Sequence, residues 1–316
     1  MCNAITLKAF DIGGAEVGSD SVTVTNTGSL EPAGETNLVV SEIMYHPADP
    51  TAAEINAGFI DGDLFEYLEL ENIGPVTIDL GGALFTKGID FDFSTGSISQ
   101  LAPGERMLIV RNQAAFESRH GADLPVAGEF QNGTGLANGG ERLGLAGING
   151  ISIRDFSYDD KHPWPGDADG NGHSLVLIDP GSSPDHGEPG NWRLSSLPGG
   201  NAGESDTNLF VGDPASDDDG DGLSNFMNHA LGGSGAAFAP VFSVENGVIT
   251  FSHTRNLAAD DVDFETEFSI DLVNWMSSGS VQVSETAIGD GNSLVTWKID
   301  PGVEGRVFVR LRVEER

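Results

Sequence analysis

Short stretches in which apolar and polar residues alternate recur along the chain and predict β-strands. The clearest lies near the C-terminus, where Val307, Val309 and Leu311 face one way while Phe308 and Arg310 face the other. Glycine, proline and asparagine separate the runs at short intervals, which is typical of an antiparallel sandwich or barrel. The predicted fold class is therefore all-β. Strands are predicted at residues 38–45, 65–72, 77–86, 89–93, 107–111, 141–145, 151–158, 241–244, 248–253, 266–269, 281–283, 294–299 and 307–313.

Two segments favour helix instead. Residues 113–120 form the best helical stretch, and a second short amphipathic helix is expected over 226–231, ending at Gly232. Near the N-terminus, residues 5–10 and 22–25 alternate on either side of a glycine turn and predict a hairpin. An isolated hairpin is marginal in water, so we interpret residues 1–30 as the end of a preceding domain, with Met1 as a truncation point.

The domain organisation follows from these patterns and from composition. Residues 37–195 carry a dense series of predicted strands and are assigned to one sandwich domain. Residues 198–214 are rich in Gly, Asn, Ser and Asp, a composition typical of linkers. We therefore predict a linker over 196–235. Residues 240–316 form a second, smaller β-sandwich domain at the C-terminus.

Charge narrows the classes of partner. The chain has 316 residues, with 49 acidic and 15 basic side chains, and its formal charge is −34. Such a field repels phosphate backbones and anionic lipids, so nucleic acid is not an expected partner. No apolar run is long enough for a membrane-spanning helix, and membrane insertion is not expected. The expected partner is a protein or polysaccharide surface whose identity the sequence does not give.

An aspartate-rich stretch, residues 217–228, has the ligand spacing of a calcium loop. Asp217, Asp219 and Asp221 occupy positions 1, 3 and 5, and glycine follows at position 6. The backbone carbonyl of Leu223 at position 7 and the side chain of Asn225 at position 9 complete the expected set. Asn228 stands at position 12, where a bidentate glutamate is usual, so we expect weak Ca²⁺ binding, on the order of 10⁻⁴ to 10⁻³ M.

That affinity suits an extracellular protein, because calcium is millimolar outside cells. No signal-peptide core is present at the N-terminus, so export is inferred from the loop alone. The stretch is similar to the single calcium loops of dockerin and thrombospondin type 3 repeats. A second segment, 167–172, repeats the Asp-x-Asp-x-Asn-Gly start, but its position 12 is Ile178, which cannot ligate. We interpret it as a surface turn.

A series of short motifs covers about half of the chain. The motifs are Val-Ser-Glu-Ile-Met-Tyr-His-Pro (40–47), Glu-Tyr-Leu-Glu-Leu-Glu-Asn (66–72), Ile-Asp-Leu-Gly-Gly (78–82), and the segments at 101–104, 136–143, 159–165, 172–175 and 191–192. In this order and spacing they resemble the bacterial lamin-tail domain. The resemblance implies an immunoglobulin-like β-sandwich found in large secreted bacterial proteins, often beside hydrolase or kinase-like domains, and generally taken as an attachment or binding module. One departure is Ala83, where the family usually has a bulky aromatic.

Catalysis is not expected. The glutamates of the strands at 38–45 and 65–72, Glu42, Glu66, Glu69 and Glu71, could in principle pair for acid–base work, but alternation would place some of them in solvent. The predicted function is a non-catalytic extracellular attachment, adhesion or spacer module stabilised by calcium. The alternative is an accessory targeting region of a larger secreted enzyme with its catalytic domain upstream. Carbohydrate binding remains a third possibility, although Trp275 is expected in the core rather than on a sugar-stacking face.

Overall fold

The protein is mostly β-strand. A computed structural model describes residues 2–25, 30–234, 240–245, 248–300 and 306–316. Its helices are α1 (Ala52–Asn56), α2 (Gln113–His120) and α3 (Asn225–Leu231). Its strands are β1 (Cys2–Phe10), β2 (Glu16–Thr25), β3 (Glu31–Pro32), β4 (Leu38–Met44), β5 (Tyr67–Asn72), β6 (Ile78–Asp79), β7 (Leu84–Lys87), β8 (Phe91–Asp92), β9 (Gln100–Leu101), β10 (Arg106–Val110), β11 (Val126–Glu129), β12 (Glu141–Ala146), β13 (Ser152–Tyr158), β14 (Leu175–Leu177), β15 (Trp192–Leu194), β16 (Val241–Glu245), β17 (Val248–Asn256), β18 (Val262–Ser269), β19 (Ser280–Gly289), β20 (Asn292–Ile299) and β21 (Phe308–Glu315).

Residues 30–195 contain three sheets around one large core. A six-stranded sheet has the order β11-β10-β5-β4-β14-β15, and a four-stranded sheet has the order β13-β12-β7-β8. A three-stranded sheet, β3-β6-β9, completes the set. Most pairs are antiparallel, but β10–β11 and β3–β6 are parallel. Apolar side chains from the two larger sheets share one cluster, which includes Leu38, Leu70, Phe85, Leu143 and Tyr158.

The strands β4 and β5 are buried on both faces, which the sequence does not suggest. All seven residues of β4 are buried. One face of these strands lies on the core just described, and the other is covered by α2 and by the segment that follows β15. Met44 and Tyr67 contact Phe116 and Ala202 in a second cluster. Glu42, Glu66 and Glu69 are consequently buried rather than exposed to solvent, so the expectation that alternation places them in water is wrong for these three.

Several elements differ from the sequence prediction for local reasons. The strand predicted over 77–86 is broken into β6 and β7 because Gly82 adopts a left-handed conformation, with φ of 86°. The short helix α1 was not predicted, although Thr51 and Glu54 form a capping box that begins it. Trp275 is half-buried and outside the core, with the Arg310 guanidinium carbon 4.1 Å from its ring centroid.

The C-terminal part consists of two sheets that enclose a smaller core. A four-stranded sheet has the order β16-β17-β20-β19, and β18 pairs with β21 in a second sheet. Ile249, Phe251 and Ile299 of the first sheet meet Phe268 of the second. In β21, Val309 and Leu311 pack against this cluster, in agreement with the predicted alternation. The N-terminal strands β1 and β2 pair in a sheet of their own.

Parts of the predicted segments lie outside the described residues. These are Met1 and residues 26–29 of the predicted hairpin segment, residue 235 at the end of the predicted linker, and residues 246–247 and 301–305 of the predicted C-terminal domain. None of the helices in the described ranges is long and apolar enough to cross a membrane.

Candidate metal-binding loop

The aspartate-rich loop is held by its two ends against the C-terminal part of the chain. Phe210 precedes the loop and packs on Phe226 of α3, with ring centroids 5.3 Å apart. Asp261 joins the same two ends. Its Oδ2 accepts a hydrogen bond from the Phe210 N–H at 2.6 Å, and its Oδ1 lies 3.0 Å from His229 Nε2. Residues 211–224 therefore form a loop, and the residues on either side of this loop contact each other and Asp261.

Helix α3 fixes the C-terminal end of this loop. Ser224 caps the helix by accepting a hydrogen bond from the Met227 N–H, and Gly232 ends it in a left-handed conformation. The helix buries Phe226 and Ala230 in the same cluster as Val262 of β18. This apolar face explains why a seven-residue helix is stable here, since short helices depend on tertiary packing.

The three predicted aspartates lie together at the surface. Ligand oxygens of Asp217, Asp219 and Asp221 are all within 4.8 Å of one another, and the three side chains are exposed. Two oxygens bound to one Ca²⁺ lie no more than about 5 Å apart, because each Ca–O distance is about 2.3–2.6 Å. In the described part of the chain, this is the one group of three or more such side chains that converges in this way.

Backbone N–H groups contact all three carboxylates, and the Asp221 N–H donates to Asp219 Oδ1 at 3.3 Å. The Gly220 N–H donates to Asp217 Oδ1 at 2.8 Å, and the Leu223 N–H donates to Asp221 Oδ1 at 2.8 Å. Gly220 and Gly222 have φ of 73° and 93°, a region that favours glycine. The sequence therefore produces the turn that converges the side chains, because its glycines stand at the positions that need left-handed backbone.

The other predicted ligands are placed differently from one another. Leu223 stands at position 7, where its carbonyl oxygen is the predicted ligand. The contact that the structure gives for its backbone is the hydrogen bond from its N–H to Asp221 Oδ1. Asn225 is turned to Asp218, whose N–H it contacts through Oδ1 at 3.1 Å and whose Oδ2 it contacts through Nδ2 at 3.0 Å. Asn228 lies beside Asp219, with its Nδ2 3.4 Å from Asp219 Oδ2. The Asn228 Oδ1 atom is buried and has no hydrogen-bond partner among the described residues.

This donor set fits a hard divalent cation. Carboxylate and amide oxygens are the ligands that Ca²⁺ prefers. Rotating the Asn228 amide by half a turn would exchange its oxygen and nitrogen, which are assigned from hydrogen bonding rather than from shape. The orphaned oxygen would then face Asp219 and could ligate an ion there. Asn225 would first have to leave Asp218.

The second aspartate loop uses its carboxylates for other contacts. Asp167 Oδ2 accepts a hydrogen bond from the Ala287 N–H of β19 at 2.5 Å, and its Oδ1 accepts one from Asn171 at 3.1 Å. Asp169 Oδ1 lies 2.5 Å from His46 Nδ1. The two aspartates therefore join segments of the fold instead of converging on a common point.

The buried glutamates of β4 and β5 form hydrogen bonds with neighbouring side chains and with backbone N–H groups. Glu42 Oε1 accepts hydrogen bonds from Tyr67, Ser174 and the Asn201 N–H, at 2.5, 2.5 and 3.1 Å. Glu69 accepts from the Gly203 N–H at 2.6 Å. The cavity beside them measures about 20 Å³, which suits a single water rather than a substrate. These contacts hold residues 199–203 on the sheet.

Burial also shifts the protonation of these carboxyl groups. Desolvation raises the pKa of Glu42, against hydrogen bonds from Ser174 and Tyr67 that lower it. Desolvation, with repulsion from Glu42, raises the pKa of Glu69 to about 8, although Arg106 opposes the shift. The cluster therefore retains a proton at neutral pH.

One buried ion cluster connects three segments that are distant in sequence. Arg193 of β15 is fully buried, and its guanidinium contacts Asp260 through Nε at 2.5 Å and Asp206 through Nη2 at 2.5 Å. Asp206 also accepts from the Ser196 N–H at 2.8 Å, and Asp260 accepts from Thr207 Oγ1 at 2.6 Å. Sequence reasoning missed this cluster, because nothing in the local pattern around Arg193 points to either partner.

No family model, curated protein or solved structure matches this chain.

Proposed function

We propose that this chain is a non-catalytic extracellular attachment or spacer module of the lamin-tail type, in which a single calcium loop stabilises the C-terminal part. The observation that supports it is the convergence of the Asp217, Asp219 and Asp221 oxygens within 4.8 Å. The motifs of residues 37–195 support the lamin-tail assignment, with its immunoglobulin-like sandwich. The two sheets of residues 240–316 support a second, smaller sandwich.

In this proposal, the three aspartates, the Leu223 carbonyl and the Asn228 amide oxygen hold the ion. Bound calcium supplies two positive charges that offset the mutual repulsion of the carboxylates. Asp217 and Asp221 are already oriented by backbone N–H groups, so little ordering is needed for binding. Because Phe210 and Phe226 pack against each other at the two ends of the loop, the ordering that calcium produces is confined to the loop. It orders residues 211–224 rather than setting the angle between the two sandwiches.

The test is a calcium titration of the full chain by isothermal calorimetry. The wild-type chain is expected to bind one Ca²⁺ with a Kd on the order of 10⁻⁴ to 10⁻³ M. Asp219→Ala should weaken binding by about tenfold or more, since it removes a charged ligand. Asp123→Ala removes one exposed carboxylate far along the chain from the loop and should leave the Kd unchanged.

A thermal melt provides the second readout. For a Kd of about 1 mM, calcium at about 10 mM should stabilise the folded state by about 1.4 kcal/mol relative to chelator. In Asp219→Ala, with a Kd weakened about tenfold, the difference should fall to about 0.4 kcal/mol or less. If the wild-type chain shows no saturable binding at millimolar calcium, the loop is an acidic surface segment and the proposal fails.

A further inference from the structure

Residues 199–203 lie as a strap on the face of strands β4 and β5, and two carboxyl groups attach this strap to the sheet. The Asn201 N–H donates to Glu42 Oε1 at 3.1 Å. The Gly203 N–H donates to Glu69 Oε2 at 2.6 Å. The protonation state of these two glutamates therefore bears directly on the contacts that hold the strap in place.

The closed strap shields both carboxyl groups from bulk water. A Cβ atom on Gly200 would lie 1.9 Å from Tyr67 Oη and 2.2 Å from Glu42 Oε1, so the backbone of the strap lies directly on these groups. The cavity that remains beside them measures about 20 Å³, which is room for about one water. Glu42 and Glu69 are each 2% exposed. Protein groups alone must therefore compensate any charge that these side chains carry.

The two glutamates lie opposite each other, with too little positive charge for both to ionise. Glu42 and Glu69 are direct cross-strand partners on one face of the sheet, where two negative charges repel each other. Arg106 is the one cation among the described residues that line the cavity. Its Nε lies 3.0 Å from Glu69 Oε1, but its Nη2 contacts Glu71 Oε2 at 2.5 Å. Because one guanidinium is shared in this way, the closed pair retains a proton.

The other titratable groups packed around the pair do not replace that proton. His120 of α2 packs on Tyr67 with ring centroids 5.8 Å apart. Burial lowers the pKa of His120 to about 4, so its ring is neutral above about pH 5. Arg193 is engaged by Asp206 at 2.5 Å and by a second aspartate. Glu204 and Asp206 line the same cavity and add negative charge to it.

Loss of the proton favours a strap that has left the sheet. Desolvation and repulsion from Glu42 raise the pKa of Glu69 from 4.5 to about 8, against the effects of Arg106, Ser41 and the Gly203 N–H. In an open form, water solvates the carboxylates and the pKa returns to its ordinary value. A raised pKa stabilises the closed form fully below the ordinary value, and this stabilisation is lost as pH rises to the raised value. Opening should therefore become easier between about pH 5 and pH 8.

We propose that the strap is controlled by this proton: it is closed while the Glu42–Glu69 pair holds one proton, and it opens as the pair loses it. Opening uncovers the apolar side chains of Tyr67 and Phe116, which pack with Ala202 of the strap. The protein thereby gains an accessible apolar surface on β4 and β5 as pH rises. The inference depends neither on the calcium loop nor on the proposed attachment role.

The experiment is amide hydrogen exchange of the full chain at pH 5, 6 and 7, read by mass spectrometry on peptides that cover residues 199–203. The protection factor compares the observed rate with that of an unstructured peptide, so it removes the chemical effect of pH. In the wild-type chain it should fall about tenfold per pH unit, or about hundredfold from pH 5 to pH 7, because one proton is released on opening. Peptides from β12 and β13 should stay more protected than the strap at each pH, since the strap opens without global unfolding.

Two conservative variants and one control assign the effect to the pair. Glu42→Gln and Glu69→Gln each leave a single carboxyl group in the pair, so the protection factor of the strap should no longer depend on pH. Glu188→Gln changes an exposed glutamate and should keep the wild-type dependence.

Three results would overturn the proposal. The first is a protection factor of the wild-type strap that stays constant or rises from pH 5 to pH 7. The second is a wild-type dependence that persists in either Glu42→Gln or Glu69→Gln, which would place the proton on another group. The third is a strap as strongly protected as β12 and β13, which would mean that it opens only when the whole protein unfolds.

Discussion

Replacing Arg193 by Met should destabilise the protein strongly and in a pH-dependent way. The substitution keeps an unbranched side chain but leaves Asp206 and Asp260, exposed to 2% and 3%, without their cation. Removing one partner from a buried ion cluster costs about 3–5 kcal/mol. The carboxyls can instead take up protons, at about 1.4 kcal/mol for each unit between the pH and the ordinary pKa. At pH 7 that amounts to about 4 kcal/mol for one carboxyl.

The pH dependence separates this charge effect from lost packing. In the wild-type chain, burial raises the pKa of Asp206, but hydrogen bonding and the charge of Arg193 outweigh burial and lower it. A depressed pKa stabilises the fold above the unfolded-state value, and this contribution is lost only as pH falls through the folded-state value. In Arg193→Met the pKa should rise instead. The penalty should therefore shrink by about 3 kcal/mol between pH 7 and pH 5.

The assay is urea unfolding at both pH values, followed by tryptophan fluorescence and by circular dichroism. Trp192 is 3% exposed and precedes Arg193 directly, so its fluorescence reports on the cluster. The control is Arg312→Met, because that side chain and its partners Glu265 and Glu314 are all exposed, so the ion pairs should contribute little to stability. A loss below about 1 kcal/mol in Arg193→Met, or an equal loss at pH 5 and pH 7, would refute the reasoning.

Two further predictions concern the contacts that hold residues 199–203. Because the pKa of Glu69 is raised to about 8 from 4.5, the wild-type chain should lose about 1.4 kcal/mol of stability per pH unit as pH rises between those values. Glu69→Gln should flatten that slope in urea unfolding from pH 5 to pH 8, and an unchanged slope would contradict the assignment. Gly200→Ala would place a Cβ 1.9 Å from Tyr67 Oη and 2.2 Å from Glu42 Oε1. It should cost about 2 kcal/mol or more, whereas Gly104→Ala, at a similar φ but in open space, should cost only about 1 kcal/mol; equal losses would show that the close approach is unimportant.

Features that depend on neighbouring residues could be predicted from the sequence. The bounds of α2 are as predicted, because Asn112 caps its first turn and glycine follows its last residue. The convergence of Asp217, Asp219 and Asp221 rests on three side chains and two glycine turns within one short segment. The helix α1 was missed although its capping box was visible, since five residues give little periodicity.

Features that depend on distant partners could not be predicted. Asn225 has the spacing of a ligand, but Asp218 competes for its amide. The composition of residues 198–214 is typical of a flexible linker, yet Glu42 and Glu69 bind the backbone of Asn201 and Gly203. A Gly-rich segment can be a flexible linker or can lie fixed on a sheet. Which of the two occurs depends on where the glutamate acceptors lie in the fold. The ion pairs of Arg193 could not be predicted for the same reason, because its carboxylate partners lie 13 and 67 residues away in the sequence.

The Arg193 cluster bears on how such a chain could be rearranged by recombination. Composition suggests that residues 198–214 are a convenient place to exchange one module for another. A crossover before Asp206 would separate Arg193 from both of its carboxylate partners, and a crossover after Asp206 would leave Asp260 buried without its cation. Successful exchanges would have to transfer all three residues together or replace all three by apolar side chains. The parts of the chain on either side of residues 198–214 are therefore expected to be inherited as one unit.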